Sequence, residues 1–149
     1  MKAIIQRVSE ASVKVDNKIV GEIGKGLTLL IGIDESDELA DADWLVKKIL
    51  DVRVFSDDEG KMNHSVRDVN GEILCISQFT LIADYKKGNR PSYIKAARPE
   101  KAIPLFDYFK DEMKKSGLKI ESGIFGADMK VSLINDGPVT LVFDSKTKS

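Results

Sequence analysis

Leu27-Thr28-Leu29-Leu30-Ile31-Gly32-Ile33 is apolar at five of seven positions, carries no charge and follows the punctuation Gly24-Lys25-Gly26. So short an apolar run between breakers reads as a strand rather than a helix. Its continuous apolar character, without alternation, marks a strand covered on both faces. The remaining elements must supply that cover.

Upstream, Ala3-Ile4-Ile5-Gln6-Arg7-Val8 runs into Ala11-Ser12-Val13-Lys14-Val15, where apolar and polar residues alternate with period two. Asp16-Asn17-Lys18 reads as a hairpin turn into Ile19-Val20-Gly21-Glu22-Ile23. Downstream, from about Asp37 to Leu50, Leu39, Ala42, Leu45, Val46, Ile49 and Leu50 form one apolar helical stripe. Val52-Arg53-Val54-Phe55 predicts a short strand, and Ser56-Asp57-Asp58-Glu59-Gly60 a turn without EF-hand spacing. Strands are predicted around Ile73–Ile76 and Phe79–Ala83. A second helix runs from Pro99, suited to a first turn, to Ser116, with Gly117 as its stop. Strands return at Ile124-Phe125, Val131–Ile134 and Val139–Phe143. Grouped strands with two helices interposed predict an α+β (mixed α/β) fold, a single compact domain with largely antiparallel sheets.

The 149 residues carry 23 Lys and Arg, 24 Asp and Glu, and a net charge of −1, which argues against a broad nucleic-acid-coating surface. Locally the balance reverses: from Asp84 to Lys101 stand Lys86, Lys87, Arg90, Lys95, Arg98 and Lys101 against Asp84 and Glu100. Such a patch suits one limited stretch of phosphate backbone, although a solvated loop has the same composition. No apolar run approaches the roughly 20 residues of a membrane span, and Met1–Arg7 lacks the apolar region of a signal peptide. A cytoplasmic location is therefore the expectation. Cys75, the one cysteine, lies in Ile73-Leu74-Cys75-Ile76 and reads as a buried, inert thiol. With His64 as the one histidine, a structural zinc site has no ligand set, and we expect no metal and no cofactor.

Three segments carry polar groups that the core does not need. Ser77-Gln78-Phe79-Thr80-Leu81 interrupts an apolar strand with three hydrogen-bonding side chains, which implies a pocket or a cross-strand bond to satisfy them. A serine or threonine nucleophile needs a base, and His64 sits in the polar stretch Lys61–Ser65. Asn135-Asp136-Gly137-Pro138-Val139-Thr140 holds an Asp-Gly pair between two strands, a hairpin signal. Pro138 cannot donate to a ladder, and a Gly-Pro bond is of the kind that can be cis. Lys86-Lys87-Gly88-Asn89-Arg90-Pro91-Ser92-Tyr93 is a basic loop directly after the first of these segments.

Taken together these segments resemble the D-aminoacyl-tRNA deacylase family along essentially the whole chain. The match comprises Ile5–Val8 with Ala11–Val13, Phe55-Ser56-Asp57 with Gly60–Asn63, Ser77–Leu81, Arg90–Tyr93, Phe125–Met129 and Asn135–Thr140. Tyr93 departs mildly from the family, whose loop more often ends in Phe. The resemblance implies a twofold homodimer with active sites at the interface, and D-aminoacyl-tRNA and glycyl-tRNA as substrates. It implies a cis Gly137-Pro138 reaching into the partner's pocket, where its carbonyls hold the α-amino group and leave no room for an L side chain. Arg7 would brace this segment; Ser77, Gln78, Phe79 and Thr80 would form the catalytic wall; Met129 and Phe125 would flank the terminal adenosine; Lys86, Lys87 and Arg90 would hold tRNA. The ribose 2′-hydroxyl would assist, with Thr80 as a direct nucleophile the competing proposal. Two rival readings stay open: a non-catalytic nucleic-acid-binding module using the basic loop, and a hydrolase of small acyl esters using Thr80 or Ser77.

Overall fold

The structure, a computed structural model, describes residues 1–149. Its frame is the 14-residue strand β1 (Lys2–Val15), paired along both edges. On one edge its first half meets β3 (Gly26–Gly32) and its second half β2 (Lys18–Ile23), both antiparallel. Asp16 and Asn17 make the β1–β2 turn with φ of 51° and 64°, the two positive values a tight two-residue hairpin requires. The other edge of β1 is taken by β8 (Lys130–Asp144), antiparallel along nearly its whole length.

Beyond β3 the sheet continues through β6 (Glu72–Ser77) and β7 (Ile120–Ser122), both added in parallel. Parallel neighbours need long crossovers. Helix α1 (Leu39–Asp51) fills the first and α2 (Pro99–Lys114) the second. A two-stranded ribbon, β4 (Phe55–Ser56) with β5 (Met62–His64), stands apart. The pairing is thus largely antiparallel with two parallel additions, as the α+β reading expects.

Both faces of β3 are covered. Leu27, Leu29 and Ile31 enter a cluster of 22 buried residues with the apolar faces of α1 and α2. Leu30 packs on a smaller cluster of Val8, Ala11, Val13, Ile23, Leu74 and Ile76. One strand can serve both because β1 changes phase: Ala3 and Ile5 face the helices, whereas Val8, Ala11 and Val13 face the small core. The register slips between Val8 and Glu10, where one extra residue on β1 swaps the parity of everything after it.

Five sequence expectations are corrected. Phe79–Ala83 is not a strand; it begins with a 3-10 turn, Phe79–Leu81. The strand near Ile124-Phe125 lies earlier, as β7. Val52–Phe55 contributes only Phe55 to a strand, and Leu39 is 55% exposed at the first turn of α1. Most consequentially, Val131–Ile134 and Val139–Phe143 are not two strands of a hairpin. They belong to one strand, β8, because both halves pair with β1.

A polar knot ties the start of β1 to α1 and the end of β8. The Met1 ammonium donates to Asp37 at 2.5 Å and to Ser145 Oγ at 2.7 Å, and Ser145 Oγ donates to Asp41 at 2.7 Å. Burial pushes the Asp41 carboxyl up, but hydrogen bonds from Ser145, the Glu38 amide and Lys146 outweigh it and hold it at about 2 against an ordinary 3.8. A depressed carboxyl stabilises the fold above its unfolded value and loses that contribution as pH falls through the folded one. Urea midpoints of the native chain should therefore drop as pH falls from 3.8 towards about 2, and Asp41→Asn should flatten that acid limb. An unchanged slope in Asp41→Asn contradicts the assignment.

Candidate functional site

β6 ends at Ser77, opposite Ile31, and the Gln78 amide adds one more bond to the Ile31 carbonyl at 2.7 Å. The chain then folds back in the Phe79–Leu81 turn against the end of β3. Gly32 permits this approach: a Cβ there would stand 2.8 Å from Leu81 Cβ and 3.1 Å from the Gln78 carbonyl oxygen. Ser77 and Gln78 are half-buried, whereas Phe79 and Thr80 are exposed. The Phe79 ring lies edge-on to Tyr93 with centroids 5.1 Å apart, and the Gln78 side-chain amide donates to Thr80 Oγ1.

The turn leaves donors free. Gln78, Leu81 and Ile82 spend their amides on the carbonyls of Ile31, Gln78 and Phe79. The amides of Phe79 and Thr80 lie at the head of the turn, outside its i→i−3 ladder, where helical amides lack an internal acceptor. Two adjacent free amides can hold one oxyanion.

No base accompanies the hydroxyls. His64 is on β5, with Nδ1 3.9 Å from the Asp68 carboxylate. Cys75 is enclosed within β6, where burial pushes its thiol up to about 12. No three His, Cys, Asp or Glu side chains converge on one point.

The second signature lies on β8. Asn135 stands opposite Val8 and Thr140 opposite Gln6, so two steps on β1 span five on β8. Asp136, Gly137, Pro138 and Val139 are thrown out of the ladder as a bulge, with Asp136, Gly137 and Pro138 exposed and Gly137-Pro138 cis. Arg7 reaches into this bulge, donating through Nε to the Asp136 carbonyl at 2.9 Å and through Nη1 to the Val54 carbonyl at 2.7 Å. Gly137 has φ 140°, and a Cβ on it would meet Val139 Cγ2 at 2.9 Å and Arg7 Nη2 at 3.0 Å. Only glycine suits that position.

One chain does not bring the two signatures together. Ser77 shares a row with Ile31, Ala3 and Phe143, whereas the bulge belongs to the row of Arg7, Leu27 and Ile73. Four residues along the strands and three strand spacings across give a separation of roughly 20 Å. An open cavity of about 590 Å³ is at neither place; Ser9, Glu10, Ser12, Glu22 and Ser132 are among its lining.

Met129 and Phe125 part company. Met129 packs on the small core, its sulfur over Gly123 and close to the end of β6. Phe125 packs on the large core, its ring 6.5 Å from that of Phe106 on α2. Lys86, Lys87 and Arg90 are exposed on a loop whose ends are clamped by reciprocal Asp84–Ser92 backbone bonds of 2.8 and 2.7 Å. Beside it opens a cavity of about 540 Å³ with Lys2, Tyr85, Lys86, Ile94 and Lys95 in its lining.

Comparison with known proteins gives this geometry a context. Residues 4–144 match the family model described as D-Tyr-tRNA(Tyr) deacylase. The chain belongs to that family. A D-aminoacyl-tRNA deacylase of Flavobacterium psychrophilum is 59% identical over 149 residues, 99% of each chain. Among solved structures, one described as c-Myc DNA unwinding element binding protein is 42% identical, with TM-score 0.91 over 97% of this chain and 98% of that one. A probable eukaryotic D-amino acid tRNA deacylase shares the fold at 17% identity, with TM-score 0.82 over 95% and 97% of the two chains. Membership of the deacylase family sets the reaction class, hydrolysis of an aminoacyl ester of tRNA.

For a deacylase of this family, the sequence assigned no role to Gly32, to the Tyr93 ring beside Phe79, or to the pair Asn135 and Thr140. The signal for the last two was present, since matching alternation on both sides of Asp136–Pro138 fits one bulged strand as well as a hairpin. Two outcomes follow from the geometry. Gly32→Ala should displace the Gln78–Leu81 turn, costing about 1–3 kcal/mol of stability and lowering deacylation well beyond the loss in folded protein. Cys75 should resist thiol reagents at pH 8 until the chain is unfolded; rapid labelling of native protein contradicts its burial.

Proposed function

We propose that the chain hydrolyses the ester joining a D-amino acid, or glycine, to the terminal adenosine of tRNA, acting as a homodimer whose sites are shared between copies. The observation that carries this reading is the exposed Gly137–Pro138 bulge, braced by Arg7 yet roughly 20 Å from its own Gln78–Thr80 turn by strand spacing. A second copy supplies the missing half.

In the assembled site the bulge of one copy faces the turn of the other. Carbonyls of Gly137 and Pro138 accept the substrate's α-ammonium, which fixes the α-carbon against the backbone. An L side chain then points into that backbone and is excluded, a D side chain points away, and glycine has none to exclude. Exclusion discriminates more sharply than added attraction.

Water adds to the ester carbonyl, and its oxygen becomes an oxyanion held by the Phe79 and Thr80 amides. The bond to the ribose 3′-oxygen then breaks, and a proton from the attacking water ends on that oxygen. The ribose 2′-hydroxyl relays this proton, since Thr80 Oγ1 accepts from Gln78 and has no base beside it. Met129 borders the adenosine end of the pocket, and Phe125 supports it from the core side. Lys86, Lys87 and Arg90 hold acceptor-stem phosphates, with Tyr85 and Ile94 offering apolar surface beside them. The cytoplasm, where charged tRNA is used, is the location this reading implies; no helix is long and apolar enough to cross a membrane.

Deacylation of matched D- and L-tyrosyl-tRNA by purified protein, with chelator present, tests the reading. Rapid loss of the D-ester alone is expected, and loss of neither ester leaves a binding protein. Gly137→Ala should lower the D-to-L ratio of kcat/KM at least tenfold while the fold survives. Full selectivity in both Gly137→Ala and Pro138→Ala removes the bulge from the mechanism.

A further inference from the structure

The bulge has four residues without ladder partners, Asp136 to Val139, between Asn135 and Thr140. Backbone groups outside a ladder need other partners, and a tip this exposed needs them at its neck. Arg7 holds the leading limb through the Asp136 carbonyl. The trailing limb has a separate latch, built from the two residues that close the neck. Asn135 Oδ1 accepts the Val139 amide at 3.0 Å, and Asn135 Nδ2 donates to Thr140 Oγ1 at 3.0 Å. Gln6 Nε2 donates to the same hydroxyl at 3.4 Å, tying the latch to β1.

We propose that Asn135 and Thr140 are specificity-determining positioning residues, whose mutual hydrogen bond fixes how far the Gly137–Pro138 tip stands from the reacting carbonyl. The inference rests on the chirality reading above. Neither side chain touches substrate; both act through the tip. A wall that works by exclusion works only where it is rigid, because a displacement near 1 Å opens space for part of a side chain. Arg7 fixes the leading limb at Asp136 and strand pairing resumes only at Thr140, which leaves Val139 between them free to shift. The Asn135–Thr140 bond removes that freedom, since it joins the two ends of the five-step excursion on β8.

The substitutions separate this role from a general contribution to folding. Thr140→Val keeps the shape and removes the acceptor, whereas Thr140→Ser keeps the hydroxyl. Asn135→Leu keeps the approximate volume and removes both the acceptor for the Val139 amide and the donor to Thr140. Steady-state kinetics on D- and L-tyrosyl-tRNA, with melting temperatures recorded for each variant, provide the readout. Thr140→Val and Asn135→Leu should lower the D-to-L ratio of kcat/KM by tenfold or more, chiefly by a gain on the L-ester, and Thr140→Ser should keep the native ratio. A uniform loss on both esters with the ratio intact, or an equal fall in Thr140→Ser and Thr140→Val, overturns the proposal. Failure of the chirality reading itself would be visible earlier, as absent D-selectivity in the unsubstituted protein.

Discussion

Double-sided pairing of β1 is the constraint on which the rest depends. A strand flanked by β8 along one edge and by β3 and β2 in turn along the other has little unpaired backbone to spare, chiefly at Ser9 and Glu10 where β3 gives way to β2. Irregularities must therefore appear in its partners or as slips in its own register. Both occur: the slip beside Ser9 moves β1 from the large core to the small one, and the excess length of β8 leaves as the Asp136–Val139 bulge. Because the bulge is forced out of a continuous ladder, its two ends stay anchored by ordinary strand pairing. A hairpin tip of the same sequence would be anchored on neither side in that way.

The same logic positions the turn that is proposed to hold the oxyanion. β3 must be apolar on both faces, and its end at Gly32 lets the Gln78–Leu81 turn settle with two amides free. In the proposed site the protein contributes backbone donors on one side and backbone acceptors on the other. Arg7 and Asn135 hold the bulge backbone directly, while Gln78 and Thr140 bond the neighbouring side chains of Thr80 and Asn135. The proposed division of labour follows: the enzyme supplies rigidity and charge stabilisation, and the tRNA supplies the hydroxyl that moves the proton. It also explains a catalytic reading for a chain whose histidine and cysteine both lie outside the site.

The legible parts of the sequence were those governed by local pattern. Both helices, the Asp16-Asn17 hairpin and the doubly covered β3 follow from periodicity and turn chemistry. The misread parts were decided by long-range pairing. Phe79-Thr80-Leu81 has strand composition, yet close packing against Gly32 makes it a turn. Asp136-Gly137 has hairpin chemistry, yet both flanking segments prefer the same partner strand. Phe125 and Met129, four residues apart, lie against different cores because the loop between β7 and β8 passes the end of the sheet. Local sequence carries no record of which strand lies opposite, so the latch at Asn135 and Thr140 could be seen only in three dimensions.

The central claim is that the bulge of one copy meets the turn of another, and a disulfide trap tests it most directly. Pro138→Cys combined with Phe79→Cys places two thiols roughly 20 Å apart within a chain by strand spacing, far beyond the ~7 Å Cα limit for bridging. Cys75, buried with its thiol pushed up to about 12, stays silent. The account predicts covalent dimers under mild oxidation of the double variant, reversed by reductant and far weaker in either single variant. A double variant that stays monomeric on a denaturing, non-reducing gel would contradict it.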